Sequence, residues 1–237
     1  MFHKETSIVQ KNKAIVLLSG GIDSSTCLGI ANEMGFDVYA LTIDYGQRHR
    51  KELDSAIKIA KALGVKEHRV VQLDLRSLGG SSLISDLPVP KGRDILTNSE
   101  IPPTYVPARN TLFLSLALAH GEVLGAYDIF IGANQIDFSG YPDCREEYLK
   151  AFEVMANLAL KATVEGKNKI KIHAPLLHMT KAEIIKKANS LGIDLSLTHS
   201  CYDPSPEGKA CGLCDSCIIR KKGFLEANIH DPTEYLQ

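Results

Sequence analysis

The apolar run Ala14-Ile15-Val16-Leu17-Leu18 stops at Ser19-Gly20-Gly21, and that junction limits the fold more than any other stretch of the chain. An unbroken apolar run suits a strand covered on both faces, as in a parallel sheet. The two glycines allow a sharp bend, and residues 24–34 follow as a helix that Gly35 closes. The pattern then repeats. Residues 38–43 read as a second strand, and 70–73 as a third. Between them Leu53, Ala56, Ile57, Ala60 and Leu63 share one helical face that Gly64 ends. This β-α-β-α-β order predicts an α/β fold: an open, mostly parallel sheet with right-handed crossovers and helices on both faces. Ligands in such sheets sit beyond the carboxyl ends of the strands, where the strand order switches. Residues 19–25 occupy one such end.

Downstream, residues 78–107 carry five prolines and weak periodicity, and read as a long loop: a mobile cover or a passive insertion. A helix (110–125), a strand (128–131), a polar loop (132–145) and a longer helix (146–163) follow. Residues 169–173 alternate like an edge or final strand. Thr180 and Glu183 make the capping box of a helix that Gly192 ends. The division expected is an α/β domain over 1–197 and a cysteine-rich module over 198–237.

With 237 residues, 44% of them hydrophobic, the chain can bury one substantial core. A net charge of -1 leaves no excess of cations for non-specific nucleic-acid binding. The longest apolar stretch, 112–119, is interrupted by Ser115, and residues 1–13 lack the apolar core of a signal peptide. The expectation is a cytoplasmic protein with no membrane segment.

Residues Ser19-Gly20-Gly21-Ile22-Asp23-Ser24-Ser25 lie between strand and helix. The glycines turn backbone N–H groups toward one point, the helix start adds partial positive charge, and three serines add hydroxyl donors. The loop lacks the Lys-Ser/Thr ending of a Walker A motif and the third glycine of the dinucleotide fingerprint. Such a nest, without a lysine for a transferred γ-phosphate, suits pyrophosphate held as a leaving group. Asp23 serves loop geometry or a Mg²⁺ link. Plain helix capping is the alternative for Asp23 and the serines.

Four of six cysteines fall close together: Cys201, Cys211, Cys214 and Cys217, spaced C-x9-C-x2-C-x2-C. In a reducing compartment such clustering points to a metal, and four thiolates close a tetrahedral structural Zn²⁺ site. An iron–sulfur cluster is the main rival. Cys27 reads as a small core residue, and His199 as a neighbour of the metal rather than a ligand.

SGGIDSS resembles the pyrophosphate loop of the ATP pyrophosphatases, which include the GMP and NAD synthetases and tRNA-thiolating enzymes. Three more strings narrow the resemblance: Pro107-Ala108-Arg109-Asn110, the run from Gly132 through Asp137 and Asp143 to Arg145, and Thr198-His199-Ser200-Cys201-Tyr202. With the cysteine spacing, they resemble the QueC family of the queuosine pathway from about residue 14 to 224. That resemblance implies an adenine nucleotide alpha hydrolase-like fold. It also implies a C–N bond-forming ligase that uses ATP, ammonia and 7-carboxy-7-deazaguanine and passes through adenylated acid and amide to the nitrile.

Site residues expected to bind nucleotide are Leu18, Ser19, Gly20, Gly21, Ile22, Asp23, Ser24, Ser25, Thr26, Cys27 and Leu28. Arg109 is expected to meet the substrate carboxylate or the α-phosphate, since its planar fork binds such anions bidentately. Asp137 or Asp143 would accept hydrogen bonds from the guanine-like edge. Arg145 would contact phosphate or pair with Glu146. Cys144 packs in or lines the pocket, because the reaction needs no thiol. The partners expected are small molecules and a second copy in a homodimer. Two rivals share the motifs: a tRNA-thiolating ATP pyrophosphatase, and a nucleotide- and zinc-binding module without catalysis.

Overall fold

The computed structural model describes residues 11–93, 101–134 and 141–236. Its core is a sheet of five parallel strands in the order β3-β2-β1-β4-β5. The strands are β1 (Lys13–Leu17), β2 (Asp37–Asp44), β3 (Glu67–Gln72), β4 (Asp128–Phe130) and β5 (Lys171–His173). The helices are α1 (Ile22–Glu33), α2 (Lys51–Ala62), α3 (Arg109–Leu124), α4 (Glu146–Ala159), α5 (Lys161–Val164), α6 (Lys181–Ser190) and α7 (Asp215–Ala227).

Alternation along β1 builds the two halves of the core. Ala14, Val16 and Leu18 face one layer, where they meet residues of α1, α2, α6 and α7. Ile15 and Leu17 face the other, against α3 and α4. Both faces are covered, as the continuous apolar run requires. After β3 at one edge the chain returns to place β4 beside β1. The strand order therefore reverses at β1, and the crevice at that switch opens beside the loop that follows it.

Three expectations change. The helix expected over 146–163 breaks at Leu160, whose ψ of 148° is extended, leaving α4 and the short α5. The segment 198–237 contains α7, which the sequence reading did not anticipate, and its Phe224 and Ala227 belong to the main core. The long loop is neither a detached cover nor a passive insertion over its described part. Leu83 and Ile84 enter the second core, and Gly92 N–H donates to the Leu213 carbonyl at 2.9 Å. The capping box of α6 forms as expected, with Thr180 and Glu183 bonding reciprocally.

Candidate active site

The turn after β1 brings Ser19, Gly21, Ile22, Asp23 and Ser24 to a cleft of about 230 Å³. Gly20 makes the bend at φ +87°. No side chain caps the start of α1, so its first-turn N–H groups remain available to an anion. Ser19 and Ser24 meet hydroxyl to hydroxyl at 3.0 Å, which preshapes the rim of this nest. Asp23 is already committed: Lys181 Nζ, from the first residue of α6, lies 2.7 and 2.8 Å from its two oxygens.

Three other segments complete the walls. From the β2 side come Thr42, Ile43, Tyr45 and Gln47. The Thr42 hydroxyl donates to the Leu18 carbonyl at 2.6 Å, fastening the end of β1 to β2. From the start of α3 comes Arg109, preceded by Ala108 at φ +54°, a left-handed conformation that costs about 1–2 kcal/mol for a residue with a Cβ. That strained turn aims the guanidinium into the cleft beside Tyr45, Tyr141 and Tyr202. Among the described residues no carboxylate oxygen lies within 4.0 Å of its nitrogens. From the C-terminal segment come His199, Ser200, Tyr202, Ser216, Ile219 and Arg220. Burial pulls the His199 imidazole down to about 4, so it is neutral at physiological pH. Its backbone N–H donates to the Gly20 carbonyl at 2.9 Å and ties this segment to the loop.

Behind that wall the sulfurs of Cys201, Cys211, Cys214 and Cys217 all lie within 4.8 Å of one another, and all four residues are buried. Backbone N–H groups of Asp203 and Cys211 donate to Cys201 Sγ at 3.3 and 3.2 Å, and that of Cys214 to Cys211 Sγ at 3.3 Å. Hydrogen bonds from Cys201 and Cys217 push Cys214 toward thiolate, while Cys217 is driven the other way. Four thiols so crowded cannot all ionise without a cation among them, and the donor set fits a metal of zinc-like softness. His199 stands outside the sulfur group, as expected.

The model of the family described as "Queuosine biosynthesis protein QueC" matches residues 13–228. The chain belongs to the QueC family. A 7-cyano-7-deazaguanine synthase of Desulfatibacillum aliphaticivorans is 62% identical, over 96% of this chain and 98% of its own length. One of Geobacter metallireducens is 60% identical, over 94% and 93%. Among solved structures, the NMN synthetase of Francisella tularensis has the same fold at a TM-score of 0.50 and 15% identity, over 93% of this chain and 79% of that one.

In this QueC chain several of the expected site residues lie away from the cleft. Thr26, Cys27 and Leu28 are fully buried and belong to the core of α1, not to the cleft. Burial drives the Cys27 thiol far up, as suits an inert core residue. Ser25 is equally buried and its hydroxyl donates to the Gly21 carbonyl at 2.7 Å. Asp143 does not face the cleft: its Oδ2 accepts the Asn110 N–H at 3.0 Å and so fixes the start of α3. Arg145 is exposed, away from the cleft, and Glu146 pairs with Lys150 at 2.7 Å instead. Cys144 lines the cleft with its thiol pushed up to about 11, chiefly by burial. Asp137 lies outside the described residues. Lys181, Arg220 and Glu52 escaped the sequence reading; Tyr45 and Gln47 follow β2 at a strand's carboxyl end, where ligands of such sheets sit, and Tyr202 closes one of the strings that carry the family resemblance.

Proposed function

We propose that the chain converts 7-carboxy-7-deazaguanine and ammonia to 7-cyano-7-deazaguanine at the expense of two ATP, released as AMP and pyrophosphate. The substrate carboxylate attacks the α-phosphorus of ATP, the bond to the β-phosphate oxygen breaks, and pyrophosphate leaves. Ammonia then attacks the acyl carbon, AMP departs with the carboxylate oxygen, and a proton passes to solvent, giving the amide. The amide oxygen attacks a second ATP in the same way. Loss of AMP and two N–H protons leaves the nitrile. An oxide is a poor leaving group and AMP a good one, so one site serves both dehydrations.

The observation that carries this reading is the uncapped start of α1 behind Gly20-Gly21, opening at the strand-order switch into a cleft that also holds Arg109 without a carboxylate partner. In this reading the first-turn N–H groups hold the departing pyrophosphate, and Arg109 binds the substrate carboxylate through its planar fork. Adenine lies against Thr42 and Ile43 at the end of β2. Mg²⁺ enters on the phosphate oxygens of the nucleotide, since Asp23 is engaged with Lys181. Zn²⁺ at Cys201, Cys211, Cys214 and Cys217 contributes folding energy and no open coordination position. Among the described residues no helix is long and apolar enough to cross a membrane. A cytoplasmic homodimer completes the proposal, with sedimentation as the check on the dimer.

The test is mass spectrometry after mixing protein, ATP, Mg²⁺, ammonium and 7-carboxy-7-deazaguanine. Nitrile with AMP is the expected result, and ADP as the sole nucleotide product would defeat the α-phosphate chemistry.

A further inference from the structure

Glu52, in the first turn of α2, lines the cleft with its carboxylate in electrostatic reach of Arg109, Tyr45 and Tyr202. Among the described residues no hydrogen bond or ion pair engages that carboxylate. Among the described residues, two other acids near the cleft are occupied, Asp23 by Lys181 and Asp143 by the backbone of Asn110. The cleft thus presents a carboxyl group without a partner among the described residues and a guanidinium that bonds Tyr45 but no carboxylate, with the rings of Tyr45, Phe113, Tyr141 and Tyr202 among its lining. A cleft lined by aromatic rings together with a carboxyl group and a guanidinium suits a planar heterocycle that carries an anion at one end and hydrogen-bond donors at the other.

A carboxydeazaguanine has that polarity. Its carboxylate seeks a cation, and its six-membered ring offers N1–H and the 2-amino group side by side. A carboxylate accepts two adjacent donors through its two oxygens. It opposes an adenine edge, where an acceptor nitrogen sits beside the amino group, so it separates the substrate from the nucleotide. We propose that Glu52 is the specificity-determining residue that reads the N1–H and 2-amino edge of the deazaguanine, while Arg109 holds the carboxylate at the opposite end. This inference rests on the substrate assigned above and gives Glu52 the role first expected of Asp137 or Asp143.

The experiment compares 7-carboxy-7-deazaguanine with its analogue lacking the 2-amino group, 7-carboxy-7-deazahypoxanthine. For wild type, kcat/KM for AMP formation is expected to favour the amino compound by about 5- to 150-fold, the range for one bidentate base contact. Glu52→Gln places an amide donor against one of the two substrate donors, so the preference falls to about unity. The change appears in KM for the heterocycle, with KM for ATP unchanged. Glu52→Asp keeps the charge and is expected to retain the preference at raised KM.

A wild-type ratio that persists in Glu52→Gln would overturn the assignment, as would an equal loss of kcat with both compounds. Calorimetric binding of the two compounds supplies the same ratio without turnover. Wild type that forms no AMP, yet binds with a preference Glu52→Gln removes, would leave the reader in place and remove the proposed reaction. Binding of neither compound would remove both. If Glu52→Gln fails to fold, loss of the preference in Glu52→Asp counts against the proposal.

Discussion

At Glu52 the fold holds a carboxylate where burial penalises its charge. Burial raises its pKa from 4.5 to about 7, and Arg109 opposes that rise only in part. The consequence for stability has a definite sign. Below the ordinary value the group is protonated in folded and unfolded chains alike, and no penalty exists. As pH rises from 4.5 toward 7, the unfolded chain ionises while the folded one keeps its proton, so stability falls; above 7 the penalty is complete. Glu52→Gln removes it. At pH 8 the variant is expected to be more stable by roughly 1–3 kcal/mol, a rise in Tm of several degrees for a chain this long. The advantage shrinks as pH falls through this window and disappears below 4.5. Thermal melts of both proteins across that range are the check, and coincident Tm values at pH 8 would mean that the carboxylate is already compensated. A residue that costs stability in the free protein is what a site specialised for its ligand would retain.

At the scale of elements, the decisive contact is between the phosphate loop and α2. A Cβ on Gly20 would stand 2.5 Å from the Glu52 carbonyl and 2.7 Å from the Ala56 nitrogen, and φ is +87°. Gly35 has the same φ of +87° with nothing within 4 Å of a Cβ. The pair separates conformational strain from collision. Gly35→Ala carries only the strain, about 1–2 kcal/mol, and leaves ATP binding intact. Gly20→Ala adds a clash with helix backbone, so its destabilisation exceeds that of Gly35→Ala and ATP affinity drops at least tenfold. Melting and nucleotide titration of both variants test this, and equal ATP affinities would show that the loop tolerates displacement.

The same scale explains what the sequence could and could not reveal. The strands and the phosphate loop are local patterns, and their positions follow within a residue or two, except that β3 begins three residues before the expected 70–73. Helix α7 is different. It buries Asp215 and Arg220 and exposes Leu225, so hydrophobicity does not mark its inner face. The break at Leu160 has no glycine or proline to announce it. Lys181 reaches Asp23 across 158 positions, a separation along which no motif carries information. Asp143 sits in a loop of polar residues that reads like a binding segment, yet the start of α3 takes its acceptor.

At the scale of the molecule, the cysteine cluster governs whether the cleft has its second wall. Cys201 and Cys217 flank the segment and helix that supply Ser200, Tyr202, Ser216, Ile219 and Arg220 to the site. Arg220 extends the tie, donating to Thr198 Oγ1 at 2.9 Å and pairing with Asp231 at 3.0 Å. The long loop joins through Arg93 and Asp215, also at 3.0 Å. With metal bound, these segments form one body; with the thiols free, crowded sulfurs and a buried arginine must be held by hydrogen bonds alone. Cys214→Ser is therefore expected to lose metal, lower Tm by several degrees and abolish binding of the heterocycle, while far-UV circular dichroism keeps the signature of the sheet and its helices. ATP affinity is expected to fall less than heterocycle affinity, because in the proposed site α1 and β2 supply most of the nucleotide contacts without help from the cysteines. Retained metal would refute the set of four ligands. Lost metal with unchanged Tm and unchanged heterocycle binding would instead refute the idea that this cluster is what holds the wall upright.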